Sequence, residues 1–109
     1  MLPADARKRS TFWVTDGEAR PHPIRCGVDG DSLYCFGDEL AAMAAGTRVS
    51  VTLYELHSGP PIVTFPATVR EVDPAAVSLG LVSDIVGYKS HAESFDELRR
   101  TRRIVELAA

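Results

Sequence analysis

The stretch that decides the fold is TFWVTDGEARPHPIRCGVDGDSLYCFGDELAAMAAGTRVSV, residues 11–51. It begins with the β-branched and aromatic run Thr11–Thr15, which predicts a strand, and Asp16-Gly17 then predicts a turn. A second and a third strand, Arg20–Val28 and Leu33–Phe36, are separated by Asp29-Gly30-Asp31, a sequence typical of a hairpin turn. Pro21 and Pro23 cannot donate ladder hydrogen bonds, so the start of the second strand is expected at a sheet edge or bulge.

The remainder of this stretch predicts one helix and the return of the chain into the sheet. Asp38–Ala45 is alanine-rich, Asp38 can cap its start and Gly46 can end it, so a short helix is expected there. Arg48–Leu56 alternates apolar and polar residues, which indicates a half-buried strand. Ile62–Val72 predicts a further long strand, bent or bulged at Pro66. Short strands and one short helix in this order predict a mainly β fold, an antiparallel barrel that is closed by a helix.

The register of the first hairpin decides whether the two cysteines meet. If Gly30-Asp31 is a two-residue turn, Cys26 faces Cys35 across the hairpin, whereas an Asp29-Gly30 turn pairs Cys26 with Leu33 instead. Because side chains alternate between the two faces of a strand, Cys26 lies on the same face as Ile24 and Val28, and Cys35 on the same face as Leu33. The simplest interpretation is that both are small core residues.

The C-terminal third predicts two helices and a last segment that fits either a strand or a helix. Asp73-Pro74 reads as a helix cap followed by proline in the first turn, of a helix that runs to about Val86 and ends at Gly87. Val77, Leu81 and Ile85 would lie on one apolar face of that helix. Ser94–Glu97 matches a capping box and predicts a short helix through about Arg100. Arg103–Leu107 is compatible with a last strand and equally with a continuation of the helix.

Composition limits the functional classes. The chain has 109 residues and a formal net charge of −3, which disfavours nucleic acid as a partner, since phosphate backbones select basic surfaces. We expect a flexible N-terminal segment over residues 1–10 and a single domain over residues 11–109. No apolar run is long enough for a membrane span, so no membrane partner and a cytoplasmic location are expected, with both cysteines as thiols. The histidines and cysteines lack paired spacing, so we expect no metal site.

The order of these elements resembles the pyridoxamine 5'-phosphate oxidase-like split barrels. The resemblance rests on the Asp-Gly turn, on RPHPIR (residues 20–25), LYCFG (33–37) and TRVSV (47–51), and on VDP (72–74) before a helix. It implies a split β-barrel of about six strands with two or three short helices, which forms a homodimer. It also implies flavin mononucleotide (FMN), or in some branches a deazaflavin or haem, bound at the dimer interface.

The resemblance implies which residues would hold that cofactor. A small barrel has no interior room for a tricyclic flavin, so the ring must lie outside it or between two barrels. The flavin would be used for redox chemistry on a small molecule, which makes the protein a small-molecule oxidoreductase whose catalytic residues and substrate are not readable from the sequence. The positions that match the cofactor site are Arg20, Pro23, Ile24, Arg25, Cys35, Phe36, Gly37 and Arg48.

One departure from the family pattern supports an alternative. Family members that bind FMN usually have Arg-Lys or Lys at the start of the short helix, and this chain has Asp38 and Glu39 there. Negative charge at that position opposes a phosphate. The alternative is therefore a non-catalytic dimeric barrel that binds a ligand such as haem, or serves as a scaffold, after losing its phosphate-binding cations.

The densest charge feature is the run RRTRR at residues 99–103. The simpler interpretation is a solvated surface balanced by Asp96, Glu97 and Glu106. The sharper hypothesis is that some of these arginines cross the dimer interface and replace the missing phosphate cations.

Overall fold

The computed structural model describes residues 11–15, 24–38, 44–54, 60–87 and 92–108, of which 11–15 and 92–94 are described by their backbone alone. Its strands are β1 (Thr11–Thr15), β2 (Ile24–Asp29), β3 (Ser32–Phe36), β4 (Arg48–Tyr54), β5 (Pro61–Glu71) and β6 (Ile104–Ala108). A 3₁₀ turn (Pro74–Ala76) and the helices α1 (Leu79–Val86) and α2 (Ala92–Thr101) lie between β5 and β6.

The strands form one antiparallel sheet that closes on itself. Five of them, in the order β2-β3-β6-β5-β4, make a strongly curled half-barrel, and β1 pairs with both of its edges. The closing register places Trp13 opposite Arg25 on one side and opposite Tyr54 on the other. A mainly β barrel of about six strands with short helices, as the sequence predicts, is confirmed.

Inward-facing side chains fill the barrel. Period-two alternation puts the apolar residues of β2, β3, β4, β5 and β6 on one surface, and closure turns that surface inward. Val51, Leu53, Val69 and Leu107 are among its fully buried members. Both cysteines also belong to this inner core, as expected from the alternation.

A second core covers the outer wall where the helices pack. Phe36 and Ile104 point outward from β3 and β6 and meet Val77, Leu81, Val82 and Ile85. Gly27 of β2 allows α1 to approach closely, since a Cβ at this position would lie 2.6 Å from Leu81 Cδ1. The protein therefore has two hydrophobic cores. One fills the inside of the barrel, and the other lies between the outer wall of the barrel and the helices.

The hairpin adopts the first of the two registers that the sequence allows. Gly30 and Asp31 form the turn, with Gly30 at φ 62, and Val28 pairs with Leu33. Gly30 suits this turn because only glycine adopts positive φ without steric cost. The β2–β3 ladder ends at the following pair, Gly27 with Tyr34. One step further along the two strands lie Cys26 and Cys35.

The helical region departs from the single predicted helix. Asp73 does cap a turn that begins with Pro74, and Gly87 does end the region in the left-handed conformation, at φ 82. Between them, however, the chain leaves helical geometry at Val77 (φ −87, ψ 126), and Ser78 caps a new helix by accepting from Leu81 N. The prediction of one continuous helix is wrong because an isolated 3₁₀ turn lets Val77 enter the core.

Three further expectations have definite outcomes. The helix α2 begins at Ala92, so Ser94 lies inside its first turn and does not precede it. Residues 104–108 are a strand that joins β3 to β5, which resolves the open choice. The ladder shift falls between Leu53 and Tyr54 and not at Pro66, which pairs regularly with Ser50. Among the described strands, this part of β5 pairs with β4 alone. Most of the predicted helix Asp38–Ala45 lies outside the described residues.

Candidate functional site

The predicted site residues that the structure describes lie at one end of the barrel. Because neighbouring strands run antiparallel, β2, β4 and β6 begin at the end where β3 and β5 finish. Ile24 and Arg25 open β2, Cys35 and Phe36 close β3, and Arg48 opens β4. We call this the arginine end of the barrel, since Arg102 and Arg103, immediately before β6, lie there as well.

Arg103 is held against the end of β3. Gly37 N donates to Arg103 O at 2.8 Å, which extends the β3–β6 ladder, and Arg103 Nη1 lies 3.5 Å from Gly37 O. Its guanidinium also pairs with Glu71, with Nη2 and Nε at 2.6 and 2.7 Å from Oε1. A Cβ at Gly37 would lie 2.8 Å from Arg103 Nη1, so the glycine makes room for the guanidinium beside the backbone.

Arg102 supplies a second cation at the same place. Its guanidinium lies over the ring of Phe36, 4.1 Å from the centroid, and its Nε lies 3.4 Å from Asp38 Oδ2. A cation over an aromatic face is attracted by the ring quadrupole. Asp38, which in the sequence opposes a phosphate, is thus accompanied by an arginine from sixty-four residues further along the chain.

Arg25 serves the helix α1. Its Nε donates to Asp84 O at 3.1 Å, within the last turn of α1, and its guanidinium lies over Gly87, where a Cβ would collide with it. A cation at this position satisfies a carbonyl of the helix end and opposes the negative end of the helix dipole. This contact gives Arg25 a structural role that the sequence did not indicate.

The other predicted site residues have different settings. Ile24 and Cys35 point into the inner core, with exposed fractions of 6% and 0%. Arg48 is exposed, and its Nη1 donates to Thr68 Oγ1 at 3.0 Å. Arg20 and Pro23 lie outside the described residues. The structure thus brings Phe36 and Gly37 together with two arginines that the sequence-based site did not include.

The arginine run forms ion pairs within the chain, as the simpler interpretation expects, and of the three expected carboxylates Asp96 takes part in the described pairs. Arg99 and Arg100 both pair with Asp96, at 2.7 and 3.5 Å. Arg102 and Arg103 pair instead with Asp38 and Glu71. Sequence alone could not find these partners because they are distant in the chain and meet only through the β3–β6 and β5–β6 pairings.

A small polar cluster lies on the outer wall, away from the inner core. Tyr34 Oη donates to Glu106 Oε2 at 3.4 Å, and Arg70 Nη1 lies 3.7 Å from Glu106 Oε1. Burial, and secondly the Glu106 carboxylate, raise the pKa of Tyr34. Tyr34 also borders a cleft of about 80 Å³ that Asp29, Val72, Ala76, Val77 and Leu81 complete. That volume admits only a few heavy atoms.

Two properties of the described part of the chain bear on partners. Within it, no group of three or more histidine, cysteine, aspartate or glutamate side chains is placed to hold a metal ion. Among its helices, none is both long and apolar enough to cross a membrane.

Comparisons with protein-family models, with curated proteins and with solved structures find no match for this chain.

Proposed function

We propose that this protein binds FMN, or a related deazaflavin, against the outer surface of its barrel in a homodimer, and uses the flavin for redox chemistry on a small molecule. The observation that carries the proposal is the closed six-stranded barrel. It agrees with the fold that the sequence resemblance to the pyridoxamine 5'-phosphate oxidase-like proteins implies. Membership of that family is part of the same proposal.

The filled interior supports an external ligand. Val51, Leu53 and Leu107 are each 0% exposed and pack across the barrel, as is typical of a small barrel whose lumen holds side chains. A planar ring then needs an outside wall for its apolar faces, and a second subunit can supply the opposite wall.

The arginine end supplies chemistry that suits a phosphate. Arg102 and Arg103 are 32% and 30% exposed, and the carboxylates that pair with them, Asp38 and Glu71, are 52% and 54% exposed. Exposed ion pairs are weak, at most about 1 kcal/mol each, so a phosphate can compete with the carboxylates for these guanidiniums. Charge-assisted contacts to phosphate are among the stronger hydrogen bonds in proteins.

A second candidate function is favoured by the same ion pairs. If Arg25 is required at the end of α1, and Arg102 and Arg103 remain with Asp38 and Glu71, these three arginines do not bind a phosphate. The protein would then be a non-catalytic dimeric barrel that binds another ligand such as haem, or serves as a scaffold.

Flavin titration separates the two functions. The purified protein is titrated into FMN and, separately, into riboflavin, which lacks the phosphate, and flavin fluorescence is followed. Saturable micromolar binding of FMN, weaker for riboflavin, supports the proposal. Absence of binding to FMN and to a deazaflavin, together with saturable haem binding or no ligand at all, supports the second candidate.

Two matched variants assign the phosphate contact. Arg103→Gln should weaken FMN binding roughly 10-fold or more, as expected for a lost hydrogen bond to a charged group of about 1.5–3 kcal/mol, and should leave riboflavin binding nearly unchanged. Arg100→Gln removes the same charge from α2, where the side chain is 69% exposed, and should leave both affinities unchanged. Equal effects of the two variants would remove Arg103 from the site.

A further inference from the structure

We propose that Cys26 and Cys35 are a redox modification site, which forms a reversible disulfide across the β2–β3 hairpin inside the barrel. The inference does not depend on flavin binding. It rests on the hairpin register, on the face that the two side chains share and on their burial.

The hairpin register, extended by one step past its last pair, aligns the two residues. Asp29 pairs with Ser32, Val28 with Leu33 and Gly27 with Tyr34, where the β2–β3 ladder ends. The next residues on the two strands are Cys26 and Cys35. In a two-residue hairpin the pair beside the turn is hydrogen-bonded, and the type of pair then alternates. Extended by one step, this alternation gives Cys26 and Cys35 the positions of a non-hydrogen-bonded pair, like Val28–Leu33.

That type of pair suits a disulfide. In non-hydrogen-bonded antiparallel pairs the Cα atoms are about 4.5 Å apart, which lies within the roughly 4.4–6.8 Å that disulfides span. Residues opposite each other point to the same face, and both cysteines belong to the inner core of the barrel. Neither is joined in a disulfide in this structure, so both are thiols.

Burial determines how the site reacts. Both residues are 0% exposed, so an oxidant reaches them only when the hairpin opens locally, and oxidation is expected to be slow in the folded protein. With hydrogen peroxide, one thiol is oxidised to a sulfenic acid and one water leaves. The second thiol then attacks the sulfenic sulfur, the S–S bond forms, and a second water leaves; peroxide accepts the two electrons.

The cross-link has a mechanical consequence. It would tie together the two strands that carry Arg25 and Phe36, at the arginine end of the barrel. Since it joins positions that the extended register aligns, it should stabilise the native fold and raise the melting temperature by roughly 5–15 °C, as a disulfide closing a short loop does.

The test uses the wild-type protein. Folded protein is treated with hydrogen peroxide, quenched in acid, denatured and labelled with a maleimide, then analysed by intact mass and peptide mapping. We expect a monomer that has lost two hydrogen atoms, takes no label, gives a peptide linking Cys26 to Cys35, and recovers both thiols with dithiothreitol. The single variants Cys26→Ser and Cys35→Ser should form no such species.

Three results would overturn the proposal. The first is that both thiols of the folded protein still label after a peroxide exposure long enough for the hairpin amides to exchange with solvent by local opening. The second is that oxidation gives only disulfide-linked dimers or sulfinic acids. The third is an intramolecular disulfide that lowers the melting temperature, which would show that the bond forms only when the native register is lost.

Discussion

Replacing Gly27 by alanine tests the packing of α1 on the barrel wall. Gly27 faces outward from β2, and a Cβ there would lie 2.6 Å from Leu81 Cδ1 and 3.3 Å from both Leu81 O and Asp84 Cβ. Leu81 is only 6% exposed and packs in the helix-on-sheet core, so its side chain has little room to move away. The helix must therefore shift, or the leucine must adopt a poorer rotamer.

The magnitude follows from the cost of overpacking. Forcing one extra methyl group into a well-packed core typically costs about 1–3 kcal/mol. For a domain of this size that corresponds to a fall in melting temperature of roughly 5–20 °C. The backbone contact to Leu81 O favours the upper part of the range, because a helix carbonyl cannot rotate away as a side chain can.

Gly80 provides the matched control. It lies in the first turn of α1, and a Cβ there would meet only Ser78 Oγ, at 3.9 Å. Gly80→Ala should therefore stabilise the protein by up to about 1 kcal/mol, through the higher helix propensity of alanine. Both variants are compared by urea unfolding and by thermal melts followed by circular dichroism.

A Gly27→Ala protein that unfolds at the wild-type temperature or above, while Gly80→Ala is stabilised, would refute the close approach of α1 to β2. It would mean that the helix lies farther from the barrel wall than the structure places it.

The remaining predictions concern the inner core, the helix end and pH. Leu53→Ala should lower the free energy of unfolding by about 2–5 kcal/mol because Leu53 is fully buried; a cost under 1 kcal/mol in urea unfolding would argue against a packed lumen. Arg25→Ala should cost about 1–2 kcal/mol by removing the cation from the end of α1, with Arg25→Lys intermediate, and equal stability of all three proteins would contradict that role. The pKa of Tyr34 is raised in the folded state, so the folded protein retains its phenolic proton at a pH where the unfolded chain has lost it. Tyr34 therefore contributes stability that is fully present below pH 10 and is lost as the pH rises through the folded pKa. Wild type should accordingly lose stability relative to Tyr34→Phe above pH 10, and parallel urea-midpoint curves would exclude the effect.

Local signals predicted most of the strands. Alternation in residues 48–54 identified β4 and its inward face, and Asp73-Pro74 and Gly87 marked real boundaries. Thr52 shows where alternation is incomplete: it belongs to the polar set, yet it is only 8% exposed and its hydroxyl lies 3.0 Å from that of Thr64. The turn chemistry of Gly30-Asp31 allowed the correct hairpin register as one of two options.

Contacts between residues that are distant in the chain could not be predicted from local sequence patterns. The break at Val77 accompanies a contact with a distant segment, since Arg99 of α2 donates to Val77 O at 3.1 Å. The partners of Arg25, Arg102 and Arg103 likewise depend on how distant segments pack. From the sequence, Arg25 was a candidate for binding a ligand. In the fold, Arg25 contacts the end of α1, and Arg103 contacts the end of β3.

The most direct test of the account is a chemical-shift titration of the ¹⁵N-labelled protein with FMN. We expect saturable shifts centred on the backbone amides of Phe36, Gly37, Arg102 and Arg103, with the inner-core amides of Leu53 and Val69 little changed. FMN that produces no shifts, or shifts confined to residues away from the arginine end, would contradict it.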